Sequence, residues 1–178
     1  MKFILLNGTS GVGKTTVAWQ IHELLPLSVM VPNFEIRRMI SGFKNDRDKS
    51  REIMFNLTYG IIEQALVSGV DVIVDSKIHD DMSGKSVADR FINLAKKMNA
   101  DVYEIILTVD KAQSLERIKN RGFSTDGILT EENIEENVDK FMSAMNEYTL
   151  SRGDAVILDT SNLTPEEVLS EVKKIIEI

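Results

Sequence analysis

The stretch from Gly8 to Thr15 reads Gly-Thr-Ser-Gly-Val-Gly-Lys-Thr and meets every fixed position of the phosphate-binding pattern G-x-x-x-x-G-K-[ST]. Those residue types dictate a chemistry. Gly8, Gly11 and Gly13 accept positive φ, so the loop can turn its N–H groups toward one anion. Lys14 sets an ammonium against β- and γ-phosphates, and the Thr15 hydroxyl is a hard oxygen ligand for Mg²⁺.

Four further groups have chemical potential. Asp75 ends the apolar run Val72-Ile73-Val74, where an acidic residue holds Mg²⁺ directly or through water, or else simply caps a turn. Asp159 has the same placement after Leu158 and serves either the site or its own loop. Glu35 is the nearest carboxylate after the second apolar run and could take a proton from an acceptor hydroxyl. Beside it, Arg37 and Arg38 could clamp an anionic substrate in bidentate fashion, or form the solvated face of a short helix. Arg117 and Arg121 lie one helical turn apart, share a face, and precede the longest polar loop of the chain. There they can neutralise charge on a transferred phosphoryl group, or act as helix C-terminal cations. The two histidines, His22 and His79, have no partner at metal-ligand spacing, and Trp19 and the methionines read as packing.

These residues need a scaffold that brings them to one edge. Apolar runs of strand length alternate with helical patterns, which predicts a parallel sheet wrapped by helices. Strands are expected at Lys2–Asn7, Leu27–Val31, Val70–Val74, Val102–Val109 and Ala155–Leu158. Helices are expected at Thr15–Leu25, from Phe34 to Ile40, and at Ser50–Ser68, where Ile53, Leu57, Ile61, Ile62 and Ala65 set the spacing before Gly69. More follow at Val87–Met98, Ala112–Asn120 and Glu131–Leu150, the last capped by Thr130. The final helix, Pro165–Ile176, opens with an N-cap, an N1 proline and an N3 glutamate in Thr164-Pro165-Glu166-Glu167. Gly42–Lys49 and Phe123–Leu129 read as polar loops. In open parallel sheets ligands bind at the carboxyl ends of the strands, which is where the phosphate loop, Glu35, Asp75 and Asp159 fall.

Composition narrows the class. At 178 residues the chain is of one-domain size, and 21 basic against 28 acidic residues give a formal charge of −7. That acidity argues against a broad grip on nucleic acid. Without cysteine there are no disulfides, thiolate metal sites or cysteine nucleophiles. The apolar opening stops at Asn7, too short for a signal peptide, and no run reaches membrane-spanning length. A cytoplasmic protein is expected.

The motifs in this order resemble the small P-loop kinases of the nucleoside and sugar kinase group, with an AAA-type ATP-binding domain. The nearest branch holds zeta toxins, chloramphenicol phosphotransferase and the kinase domain of polynucleotide kinase. The resemblance rests on G-T-S-G-V-G-K-T-T, I-R-R-M-I around Arg37, G-V-D-V-I-V-D-S at Gly69–Ser76, L-E-R-I-K-N-R-G at Leu115–Gly122, and L-D-T-S-N-L-T-P-E-E-V at Leu158–Val168. It implies a three-layer α/β sandwich with a five-stranded parallel sheet in the order 2-3-1-4-5. It implies an ATP–Mg²⁺ site over Gly8, Thr9, Ser10, Gly11, Val12, Gly13, Lys14, Thr15 and Thr16, with Thr15 and Asp75 toward the metal. It further implies a helical lid over about residues 117–135 carrying Arg117 and Arg121, and an adenine site near Arg121 and the Thr160–Asn162 loop. The branch usually carries Asp-x-x-Arg after strand two, its Asp the base. Here that position is Phe34 if aligned on Arg37 and Glu35 if aligned on Arg38. Either Glu35 replaces the base, Asp75 serves, or the acceptor chemistry differs.

The expectation is a phosphotransferase moving the γ-phosphate of ATP to a hydroxyl of a small molecule, in a monomer or homodimer. Two rivals are a polynucleotide 5′-hydroxyl kinase and a non-catalytic nucleotide-binding switch, the latter favoured by Phe34 in place of an acid.

Overall fold

A computed structural model describes residues 1–78, 84–123 and 129–178. Twelve elements alternate along it: β1 Lys2–Gly8, α1 Lys14–Leu24, β2 Ser28–Pro32, α2 Asn33–Arg38, α3 Arg47–Val67, β3 Asp71–Asp75, α4 Gly84–Lys97, β4 Asp101–Thr108, α5 Lys111–Arg121, α6 Ile134–Leu150, β5 Val156–Asp159 and α7 Pro165–Ile175. The strands form one sheet in the order β2-β3-β1-β4-β5, and every pairing is parallel. The expected α/β class and strand order are both present.

Strand alternation sorts the core into two layers. Phe3 and Leu5 of β1, Val72 and Val74 of β3, and Ile106 of β4 point to one face, where α3, α4 and the end of α6 cover them. Ile4, Leu6, Ile73, Ile105 and Leu107 point to the other, covered by α1 and α7. A third cluster of Ile118, Leu129, Ile134 and Val138 joins α5 to α6. It carries the segment expected to form a lid; residues 124–128 of that segment lie outside the described part, as do His79 and Asp80.

Three local expectations are corrected. The third helix begins at Arg47 rather than Ser50, because the Asp46 carboxylate accepts from Lys49 N at 3.0 Å and caps it; the polar loop therefore ends before residue 47. Thr130 does not cap the sixth helix. Its N–H donates to Asn133 Oδ1 at 2.8 Å while Asn133 N returns to Thr130 O at 3.3 Å, so residues 131–133 close a turn and α6 starts at Ile134. Third, the spacing residues of α3 do not share one buried face. Ile62 and Ala65 are buried with Met54, Phe55, Thr58 and Leu66, whereas Ile53, Leu57 and Ile61 are exposed. The capping box at Thr164 and Glu167 forms as expected, with bonds of 3.2 and 2.8 Å.

One charge interrupts the apolar strands. Glu104 of β4 faces the α3–α4 layer and is buried. Arg152 pairs with it at 2.8 Å and reaches Asp89 on α4 at 2.5 Å. The Tyr148 hydroxyl donates to Glu104 at 2.6 Å; burial and this carboxylate push the phenol well above its ordinary range.

Candidate functional site

Parallel pairing puts all five strand carboxyl ends on one edge. Asp75 stands in register with Leu6 on one side and Pro32 on the other, while Gly8 is level with Leu107. The loop after β1 therefore starts at the centre of that edge and runs into α1, whose N-cap Gly13 has φ 93°. Glycine at position 8 is a matter of space as well as φ: a Cβ there would sit 2.3 Å from the Leu107 carbonyl oxygen.

The loop is held from three sides. From below, Asn7 accepts from Gly8 N at 2.9 Å and grips Ile78 through both its N–H and C=O, at 2.9 and 2.8 Å, extending the β1–β3 ladder by a side chain. From the side, α5 docks on the loop: Ser114 Oγ donates to Ser10 O at 3.0 Å, and a Cβ on Gly11 would meet Ser114 O at 2.9 Å. Arg117 completes the clamp. It donates to Gly11 O at 3.4 Å, to Thr160 O at 2.8 Å and to Ser161 O at 3.4 Å. Sequence reasoning named Arg117 but not Asn7 or Ser114. Asn7 could have been found as the last strand residue before the loop; Ser114 carries no sequence signal.

Within this frame Lys14 folds back on the loop and donates to Thr9 O at 2.6 Å. Burial lowers its ammonium to a pKa of about 8, the Asp75 carboxylate resisting and Arg121 adding to the fall. The Thr15 hydroxyl donates to Asp75 Oδ2 at 2.5 Å, so two hard oxygens stand side by side beneath the loop. That donor set suits Mg²⁺, which takes one or two protein oxygens and completes its shell from phosphate and water. Among the described residues no group of three or more His, Asp or Glu is gathered for a metal.

A cavity of about 320 Å³ opens beside the loop, lined by Gly13, Thr16, Val17, Arg121, Leu163 and Val168 among others. Its aliphatic walls and single rim of cations suit a flat heteroaromatic ring linked to phosphates. Arg121, one turn beyond Arg117, is exposed and makes no hydrogen bond or ion pair among the described residues. Asn162, expected near this ring, is exposed and outside the lining; Leu163 and Pro165 occupy that wall instead. Asp159 serves its own loop, accepting from Ser161 N at 2.9 Å and Ser161 Oγ at 2.6 Å, which hold its carboxyl below its ordinary range. Val12, buried at the loop's centre, packs into the α1–α7 core.

The other half of the edge is built differently. Asn33, at the end of β2, is buried; it donates to Ser76 Oγ at 2.6 Å and accepts from Thr58 Oγ1 at 2.5 Å, pinning α2 and α3 to the residue after Asp75. Glu35 is exposed and paired at 3.3 Å with Arg38 of its own helix. Arg37 lies over the Phe34 ring at 4.6 Å and the Phe43 ring at 5.3 Å. Lys14, Thr15, Asp75, Arg117 and Arg121 thus cluster around the loop, while Glu35, Arg37 and Arg38 form a separate group on α2.

Comparison with known proteins agrees with this arrangement. The sequence pattern of the AAA domain family matches residues 3–141. A Pyrococcus furiosus protein named "Putative adenylate kinase" is 31% identical over 176 residues, spanning 97% of this chain and 83% of that one. Among solved structures, shikimate kinase from Acinetobacter baumannii superposes with a TM-score of 0.69 at 17% identity, covering 99% of this chain and 93% of that one. The tunicamycin resistance protein of Deinococcus radiodurans gives 0.67 at 19% identity, over 100% and 97%. At such identities the two structures speak for the fold. With the family pattern over most of its length and a glycine-lysine-threonine loop opening the first helix, the chain belongs to the AAA domain family and is a P-loop kinase.

Proposed function

We propose that this kinase transfers the γ-phosphate of ATP to a small molecule, with Mg²⁺ held by Thr15 and Asp75. The observation that carries the reading is the set of groups around one loop: Lys14 above it, the Thr15–Asp75 oxygen pair at 2.5 Å below it, and a ring-sized cavity beside it. Thr15 and Asp75 would hold Mg²⁺, which would supply charge neutralisation to the phosphates. The chain's own part is positioning. Loop N–H groups and Lys14 orient the phosphates, and Arg117 fixes the loop while binding its carbonyls. Arg121 is free to meet charge that develops on the transferred group. The test is turnover in Lys14→Ala. Loss of phosphoryl transfer with an unchanged melting temperature supports the reading, and full activity overturns it.

For the acceptor, the first reading is a hydroxyl with a carboxylate as base. Glu35 answers it poorly, being exposed and paired with Arg38. Asp75 is in contact with Thr15. A second reading draws on the relatives' name and on Phe34. A nucleoside monophosphate presents an oxygen that is already ionised, needs no base, and would welcome Arg37 and Arg38. Assaying a panel of hydroxyl compounds against nucleoside monophosphates, with labelled ATP, separates the two. A 5′-hydroxyl oligonucleotide in the same panel tests the polynucleotide alternative, and ATP binding without transfer to any acceptor would favour the switch.

A further inference from the structure

Helix α3 is apolar on two faces. Met54, Phe55, Thr58, Ile62, Ala65 and Leu66 turn to the sheet and are buried. On the opposite side Ile53 is 39%, Leu57 44%, Ile61 40% and Val67 63% exposed. Four exposed apolar side chains on a helix already packed against the sheet form a second strip that can be covered by a partner.

The spacing of the exposed face says by what. Ile53, Leu57, Gly60, Gln64 and Val67 step by four, three, four and three, the seam of a heptad. A Cβ on Gly60 would meet nothing within 4 Å, so at mid-seam the backbone is open to close approach. Along one flank of that seam Lys49, Asn56 and Glu63 recur every seven residues. The flank is cationic at its N-terminal end and anionic at its C-terminal end, and in the middle Asn56 accepts from Arg90 of α4 at 3.3 Å. Neither Lys49 nor Glu63 has an ion pair within the chain among the described residues.

In an antiparallel helix pair, like flanks meet. Lys49 lies about 12 Å before Leu57 along the axis and Glu63 about 9 Å after it, at roughly 1.5 Å per residue. A two-fold axis at Leu57 therefore sets Leu57 on Leu57, Ile53 by Ile61, and Lys49 beside Glu63, twice over. A parallel pair would instead set this flank against the opposite flank of its partner and keep Lys49 and Glu63 apart. We infer that α3 is the seam of an antiparallel homodimer, with a second copy of this chain as the occupant. The surface is self-complementary, as a two-fold interface requires. One helix pair of this length is at the small end for a stable interface, so the association depends on concentration.

The experiment is sedimentation velocity of the full chain from low micromolar to near-millimolar concentration. The wild type is expected to pass from monomer to dimer. Leu57→Lys, at an exposed position, is expected to remain monomeric with an unchanged melting temperature. Lys49→Glu and Glu63→Lys each weaken the dimer by about tenfold in Kd, and the two together restore it. A wild type monomeric throughout overturns the inference. So does a dimer indifferent to Leu57→Lys, or a double swap that fails to restore association.

Discussion

The two halves of the catalytic edge are assembled by different means. Around the phosphate loop each element is fixed by another that is distant in sequence: Asn7 holds Ile78, Ser114 holds Ser10, Arg117 holds Gly11 and Thr160, and Thr15 meets Asp75. Among the described residues, the charged groups after β2 show partners in the α2 region, Glu35 with Arg38, and Arg37 over Phe34 and Phe43. Uncharged Asn33 ties that half to the residue after β3 by a hydrogen bond, and Ile36 packs it into the core. The difference teaches where the protein is preorganised. The phosphate-loop half, the donor side of the proposed function, is held by long-range bonds, as preorganised phosphoryl transfer would require. Across the edge, Glu35 and Arg38 are exposed and joined by an ion pair within one short helix.

The largest expected effect is at the donor half. Lys14→Ala should lower kcat on the order of a thousandfold in a coupled ATP assay, with melting unchanged because a partly buried ammonium has been removed. Next, the two arginines should part company. Arg121→Ala should lower kcat about a hundredfold and leave thermal unfolding alone. Arg117→Ala should lower the melting temperature and weaken ATP binding together, since it leaves the carbonyls of Gly11, Thr160 and Ser161 without their donor. Equal effects on melting from both substitutions would erase the distinction between a strut and a free cation. Third, Glu35→Gln should change kcat/KM by no more than about twofold if the acceptor is already ionised. A loss of a hundredfold or more would instead make Glu35 the base. The smallest effect is Arg38→Ala on stability, below about 0.5 kcal/mol by urea unfolding, because its ion pair is exposed.

Legibility in the sequence followed the range of the interactions. Phe3–Leu6 and Val72–Val74 announce buried strands by apolar character alone, and Thr164-Pro165-Glu166-Glu167 announces its helix start through local bonds. The phosphate loop is likewise local. The clamp is not: Arg117 finds its acceptors 106 and 43 residues away, and a chain read linearly gives no sign of them. Helix α3 misled for a different reason. Its apolar residues form two faces, and periodicity cannot say which one meets the sheet. Asn162 and Asp159 lie on the loop leading to Leu163, whose turn at Thr160 presents Leu163 to the cavity rather than the polar residues before it.

Glu104 is a charge inside the run Val102–Val109, and its partners bear on time rather than on equilibrium. Arg152 meets Glu104 across 48 residues and Asp89 across 63. Contacts of that separation need the sheet and both covering helices together, so they are expected to form late in folding. Arg152 therefore acts as a latch on the finished molecule. Removing it is expected to leave the folding rate nearly unchanged and to speed unfolding, so that this one side chain governs how long a folded molecule persists.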